Sequence, residues 1–471
     1  MTTTTHPRAP RKSPSFDTVA RPFLQQEGLP FTGVLDAATI ARAFADQGAL
    51  FATDGIYSTP VVLWAFLAQA LRDGKGAACA AAVADITAYQ HQIGAAAPCG
   101  DTGDYCRARA KLDPNALRHL VVRGARALEA QAPAAWLWRG RHTKLVDGFT
   151  FTMPDTPANR AAFPPLESQA PGVGLPIARA CVILSLATGA VCDMAYGPYQ
   201  GKATGETALL REMLDSFDAG DVAVFDRYYC SYMMIAQLQA RGVEVCMRLH
   251  QRRHSDFRRG RRLGHDDHII TWPRPVKPPW ITDEEYAEIP LTLRLRERRF
   301  EVTEPGCRVK TITVITTLLD PAAYPAEAIA DLYGFRWNAE LDIRHTKQTL
   351  GLDHLRCQTP AMVDRELWVT LLAYNLIRKL IATAAAVHDK KPRQMGFTLA
   401  CQSVLSSWLL LATDTCRARR EHWAIVLAQV AANEVANRPG RIEPRVLKRR
   451  RHRYPLMTRP RNALRTELAQ R

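Results

Sequence analysis

Tyr333-Gly334-Phe335-Arg336-Trp337-Asn338-Ala339-Glu340-Leu341-Asp342-Ile343-Arg344-His345-Thr346-Lys347 is the stretch on which the reading of this chain turns. On a helix advancing about 100° per residue, Tyr333, Arg336, Glu340 and Lys347 point at roughly 0°, 300°, 340° and 320°. They share an arc of about 60°, one stripe along the helix. An acid among two cations and a phenol suits a site that handles phosphate and metal together. A solvated helix face carries similar residues, so the stripe gains meaning only from its surroundings.

Upstream, the pattern is that of a sheet. Lys144–Met153 alternates around Asp147 and reads as a first strand. Arg179–Ala187 is a second, Gly189 turns the chain, and Val191–Tyr196 is a third. A helix over Gly205–Phe217 precedes Val222–Phe225, a short apolar run suited to burial on both faces, which ends at Asp226. Ser231–Ala240 reads as a helix stopped by Gly242, and Val243–Leu249 as a fifth strand. This order predicts an α/β fold, a mixed sheet with helices on both faces. From His250 to about Pro305 the chain is rich in Arg, Pro and Trp, with strand-like alternation in Ile289–Val302. Lys310–Leu319 is a further strand and Pro325–Leu350 a long helix. The 114 residues between Asp226 and Glu340 exceed what one helix and one strand need, so a β-rich insertion is expected.

The flanks are helical. Thr39–Ala45, Pro60–Arg72, Ala77–Gln92 and Asp113–Glu129 carry helical periodicity, and Thr102 is placed to cap a short helix bearing Arg107, Arg109 and Lys111. Ala361–Ala386, Phe397–Ala412 and Cys416–Ala436 follow the core. From Arg438 the chain holds eleven Lys and Arg before Leu468, broken by Pro439, Pro444, Pro455 and Pro460, which predicts an extended basic tail. Such density favours phosphate contacts over a merely solvated charge run. The expected division is a disordered basic arm (1–15), a helical N-terminal domain (16–137), a core in two parts (138–250 and 309–385), the insertion (251–308) and a helical, basic C-terminal region (386–471).

With 62 Lys and Arg against 46 Asp and Glu, the formal charge of +16 calls for a polyanionic partner, nucleic acid above all. No eighteen-residue apolar run appears, and Ser403–Thr413 is too short to span a bilayer, so no membrane partner is expected. Thr2–Ser15 lacks the apolar stretch of a secretory signal. Eleven cysteines without a C-x-x-C pair fit reduced thiols in a cytosolic compartment. His250, His254, His265 and His268 are interleaved with arginines and read as loop residues rather than a zinc site.

Asp147 inside a strand would be costly if buried alone, and Asp226 closes a strand at its carboxyl end, where function gathers in such sheets. If these two and Glu340 converge, their repulsion demands cations. Carboxylate oxygens select hard ions, Mg²⁺ with Mn²⁺ as substitute. Two ions about 4 Å apart would clamp an in-line phosphoryl displacement. Taken singly, an Asp at a strand end caps a helix as readily as it binds metal, and Asp193 competes with Asp147.

The ordered combination resembles the DDE transposases of the insertion-sequence-4 family. Their Y-x2-R-x3-E-x6-K signature is matched by Tyr333, Arg336, Glu340 and Lys347 without a gap. Val146-Asp147-Gly148, Phe225-Asp226-Arg227-Tyr228-Tyr229, Asn437-Arg438-Pro439-Gly440-Arg441 and Glu443-Pro444-Arg445 are similar too, and the likeness runs from about Lys144 to Pro460. The resemblance implies an RNase H-like core interrupted by a β-rich insertion. It implies metal ligation by Asp147, Asp226 and Glu340, and phosphate or DNA contacts by Tyr333, Arg336, Lys347, Arg248 and Arg227. It also implies double-stranded DNA partners, namely transposon-end inverted repeats bound through the N-terminal domain and target DNA. A homodimer in the synaptic complex and a place in the bacterial cytoplasm, on the nucleoid, belong to the same expectation. In one respect the chain departs from relatives that form hairpin ends: Lys310–Thr317 has no tryptophan to stack on a flipped base, leaving Trp272 and Trp280 as substitutes. A nuclease or resolvase on the same core, and a non-catalytic DNA-binding repressor, remain the rival readings.

Overall fold

The computed structural model describes residues 37–470 apart from 53–54, 93–94, 171, 202–203, 303–310, 414–415 and 436–456. The described residues form two compact units, one within 37–124, 364–390 and 395–433, the other within 125–363, 391–394 and 434–470.

The second unit is built on one nine-stranded sheet. In chain order its strands are β1 (Thr143–Thr152), β2 (Ile177–Ser185), β3 (Val191–Pro198), β4 (Val222–Phe225), β5 (Glu244–Arg248), β6 (Arg261–Gly264), β7 (Asp267–Pro273), β8 (Thr292–Glu301) and β9 (Thr311–Thr316). Their spatial order is β3-β2-β1-β4-β5-β9-β8-β7-β6. β1 pairs antiparallel with β2 and parallel with β4, and β4 runs parallel to β5, so the mixed RNase H-like sheet is present. The insertion strands join through β9 and continue the same sheet instead of forming a separate one.

Local chemistry explains these elements. Val222–Phe225 is buried throughout, as its apolar run requires. Gly189 turns β2 into β3 with φ +76°, a backbone conformation that glycine adopts without strain. Ser231 caps the helix Tyr232–Ala240 by accepting from Met234 N. That helix and Glu206–Arg211 supply Leu209, Leu210, Met233 and Ile235 to a core shared with Val146, Ile183 and Phe225 on one sheet face.

Four departures from the sequence expectations appear here. The helix over Gly205–Phe217 is short, Glu206–Arg211, followed by a 3-10 turn at Leu214–Ser216. The long helix Pro325–Leu350 is three pieces: Ala326–Gly334, Trp337–Arg344 and a π turn at His345–Thr349. The insertion adds two elements that its sequence pattern does not announce, the β6–β7 hairpin and the helix Asp283–Glu288, closed by a Thr282/Glu285 capping box. His268 stands in β7, not in a loop.

The first unit is helical: Ala37–Asp46, Thr59–Ala70, Cys79–Gln92, Gly103–Arg109 and the start of Pro114–Ala130. Pro360–Val387 from Asp364 onward, with Phe397–Thr413 and Cys416–Ala432, falls in the same unit, so N- and C-terminal helices share one core. Tyr374 and Phe397 meet with ring centroids 5.0 Å apart, and buried Arg378 donates to Tyr374 Oη at 2.8 Å. Pro360–Val387 is long and apolar enough by length and composition to cross a membrane, but 83% of its apolar window is buried inside the protein, as in a core helix. On the short helix Gly103–Arg109, Arg109 packs over Phe66, 4.7 Å from the ring centroid, and Arg107 pairs with Asp104. The basic arm and the 437–445 motif lie outside the described residues. The last stretch of the expected extended tail, Arg461–Ala469, is a helix.

Candidate active site

The register of the parallel strands creates the site. Val146 on β1, Phe225 on β4 and Met247 on β5 are paired in a row. One residue further come Asp147 and Arg248 within their strands and Asp226 just past the end of β4. Neighbouring strands lie about 4.8 Å apart, and because side chains alternate along a strand, Asp147 stands on the face opposite Val146 and Arg248 on the face opposite Met247. Asp193, paired with Ile183, which itself pairs with Val146, faces the other way. It is buried and accepts from Met194 N and Ser216 Oγ, both at 2.8 Å, which removes it from competition with Asp147.

The broken helix brings the remaining groups. Arg336 lies at the break, where N–H···O bonds of the 3-10 type run from Arg336 N to Tyr333 O and from Ala339 N to Arg336 O. Its guanidinium donates to Glu340 Oε1 at 2.7 Å and approaches Asp147 Oδ2 at 3.5 Å. One cation thus bridges two of the three acids. Asp226 holds its own turn, accepting from Arg227 N at 2.7 Å.

Burial dominates the electrostatics of Asp147. The Asp147 carboxyl is pushed up to about 6 by burial, reinforced by Asp226 and Glu340 and only partly relieved by Gly148 N–H and Arg336. Tyr333 is pushed up to about 12, chiefly by burial and also by Asp226, with Arg336 and Arg248 acting against the rise. Tyr333, Arg248, Arg336 and Asp226 therefore share one neighbourhood. Lys347, on the π turn, donates to Thr150 O at 2.9 Å and so braces its segment against β1. Arg227 sits at the edge, 3.5 Å from Gln251 Oε1.

The donors fit a divalent cation in kind: three carboxylates from three elements, with the pKa of Asp147 raised by burial. Among the described residues no group of three or more His, Cys, Asp or Glu is arranged to hold an ion as it stands. The guanidinium of Arg336 lies between Asp147 and Glu340. The four histidines form no metal group either. His268 Nδ1 donates to Arg259 O at 2.6 Å while Nε2 faces Glu297 Oε2 at 3.1 Å. Of the two tryptophans considered for base stacking, Trp272 is buried under Arg253, while Trp280 is exposed beneath Arg211.

Two groups near the site escape a reading of the sequence alone. Glu206 reads as one more helical residue and Tyr229 as part of a motif, yet both reach the strands that carry Asp147 and its partner Gly148–Cys181 pair. The available signal is Gly148: a glycine inside a strand marks close approach of another group.

The family model described as the transposase DDE domain matches residues 138–376. The transposase InsG of insertion sequence element IS4 from Escherichia coli strain K12 is 26% identical over 356 residues, 74% of this chain and 77% of that protein. The transposase of insertion sequence element IS421 from Escherichia coli is 35% identical over 83 residues, 18% of this chain and 22% of its own. Among solved structures, the piggyBac transposase synaptic complex with hairpin DNA aligns over 88% of this chain and 85% of that one, with TM-score 0.41 and 10% identity. By the domain match and the IS4 relative, the chain belongs to the DDE transposases of the insertion-sequence-4 family, enzymes that cleave DNA and transfer its strands with the help of divalent metal ions.

Proposed function

We propose that Asp147, Asp226 and Glu340 are the metal ligands of this transposase, that they hold two Mg²⁺ ions, and that Mn²⁺ substitutes. The observation that supports the reading is that Asp147 and Asp226 each follow the last paired residues of parallel β1 and β4, while one guanidinium, that of Arg336, links Asp147 to Glu340. When bound, such ions supply Lewis acidity and an activated nucleophile for in-line displacement at phosphorus. The chain's own groups do the positioning. Arg336 and Arg248 supply positive charge beside the acids, Arg336 with the forked geometry that suits phosphate. Tyr333 is buried within the influence of both charges, Lys347 anchors the π turn to β1, and Arg227 offers a charge at the rim.

The substrates in this reading are terminal inverted repeats, cut by water to free a 3′-hydroxyl, and target DNA, attacked by that hydroxyl. Two ends must be held together, so the active form is a homodimer, working on the nucleoid in the bacterial cytoplasm. Asp147→Ala, Asp226→Ala and Glu340→Ala should each abolish cleavage of a labelled end while leaving end binding intact in a gel-shift assay. A variant that cuts at the wild-type rate removes its residue from the ligand set. Joining of a pre-cut end to plasmid separates a transposase of this kind from a nuclease.

A further inference from the structure

The ladder between β1 and β4 ends at Val146 and Phe225, one residue before the two aspartates. Beyond that pair the ladder does not fix Asp226 relative to Asp147, so something else must. After Asp226 the chain makes a single 3-10 turn, Arg227–Tyr229, whose last side chain is fully buried. Tyr229 Oη donates to Glu206 Oε2 at 3.1 Å and lies 3.5 Å from Cys181 Sγ, which can donate in turn. Cys181 is the residue paired with Gly148, the neighbour of Asp147. Glu206 occupies the space that Gly148 leaves by having no side chain: a Cβ there would fall 2.2 Å from the Glu206 carboxyl carbon.

Given the ligand assignment above, on which this inference rests, we propose that Tyr229 and Glu206 are positioning residues that clamp the Asp226 turn to the Asp147 strand. The clamp lies on the sheet face opposite the acids, so Glu206 acts through backbone placement and not as a fourth ligand. It requires glycine at 148, hydroxyl at 229 and carboxylate at 206 together.

The test uses the full chain and measures Mn²⁺ binding without DNA, by electron paramagnetic resonance of the free ion, beside the Mn²⁺ dependence of end cleavage. Tyr229→Phe keeps the ring and removes the tie. It should weaken Mn²⁺ binding about tenfold or more and raise the Mn²⁺ needed for half-maximal cleavage in step, with the rate recovering at saturating Mn²⁺. Gly148→Ala pushes against the flexible end of Glu206 and should weaken binding similarly. In a Glu206→Ala background the same alanine should cost nothing further, because the contact is already gone. Unchanged Mn²⁺ affinity in Tyr229→Phe, or an equal Gly148→Ala effect in both backgrounds, overturns the clamp. Asp226→Ala is the control: if it binds Mn²⁺ as wild type does, the ligand assignment fails, and the clamp with it.

Discussion

Asp147 joins burial to charge in a way that makes its behaviour measurable. With its carboxyl pushed up to about 6, it carries a proton at pH values where an ordinary aspartate is ionised. A divalent ion binds only the carboxylate, so protonation competes with metal as pH falls. Mn²⁺ affinity should therefore start to drop below about pH 6 and be about tenfold lower near pH 5, where an unperturbed aspartate would still hold its ion. A titration of Mn²⁺ affinity from about pH 8 to 4.5 spans both regimes and reads this directly, and a flat profile down to about pH 5 contradicts it. Arg336 makes the complementary case. Its guanidinium stands between Asp147 and Glu340, where an ion held by both would have to lie. Arg336→Gln should bind Mn²⁺ more tightly than wild type at about pH 8, since a competing cation is gone, yet cleave DNA poorly for want of the proposed phosphate contact. Weaker Mn²⁺ binding in that variant would make Arg336 a support of the metal site instead of its occupant.

At the scale of elements, the two ends of β1 do different work. The far end is fixed by Lys144, buried with Nζ 2.9 Å from Asp221 Oδ2, 3.7 Å from Glu129 Oε2 and 2.8 Å from Ser216 O. Burial opposes the ammonium charge, but Cys192, Glu129 and Asp221 outweigh it and raise its pKa. Lys144→Met would leave the buried carboxylates of Asp221 and Glu129 without this counter-charge and should cost about 3–5 kcal/mol in urea unfolding. A loss below about 1 kcal/mol would show the cluster relaxing into water. The strands were legible because alternation and short apolar runs are local signals, and β4 matches its expected limits residue for residue. The broken glutamate helix was not. Helical-wheel arithmetic assumes uniform pitch, and it cannot see a 3-10 step at Arg336 or a π turn under Lys347. The stripe survives as a neighbourhood around Tyr333, Arg336 and Glu340, while Lys347 is turned to the Thr150 carbonyl. The β6–β7 hairpin stayed hidden for another reason. Two of its four buried positions are polar, His268 facing Glu297 and Asp267 in a two-pronged ion pair with Arg296, and they interrupt the apolar alternation of Ile269 and Trp272.

For the whole molecule, the excess of sixteen positive charges is a statement about DNA, because each phosphate neutralised by Lys or Arg releases counterions. The site accounts for only a few of these charges. Arg336 is paired with acids, and in the helical unit Arg109 packs on aromatic rings. A dense remainder lies along the C-terminal tail, including Lys448, Arg449, Arg450 and Arg451 in succession. If that run lies on the DNA backbone, changing all four to Gln should weaken binding of any duplex alike and leave preference for the element's own ends intact. The plot of log affinity against log salt should flatten by about 0.9 for each phosphate no longer neutralised, up to roughly 3.6 in all. Mn²⁺ affinity should not move, since the acids need no tail to meet. An unchanged salt slope would take the tail off the DNA and leave its charge to another partner, and a selective loss of end preference would make these residues readers of sequence.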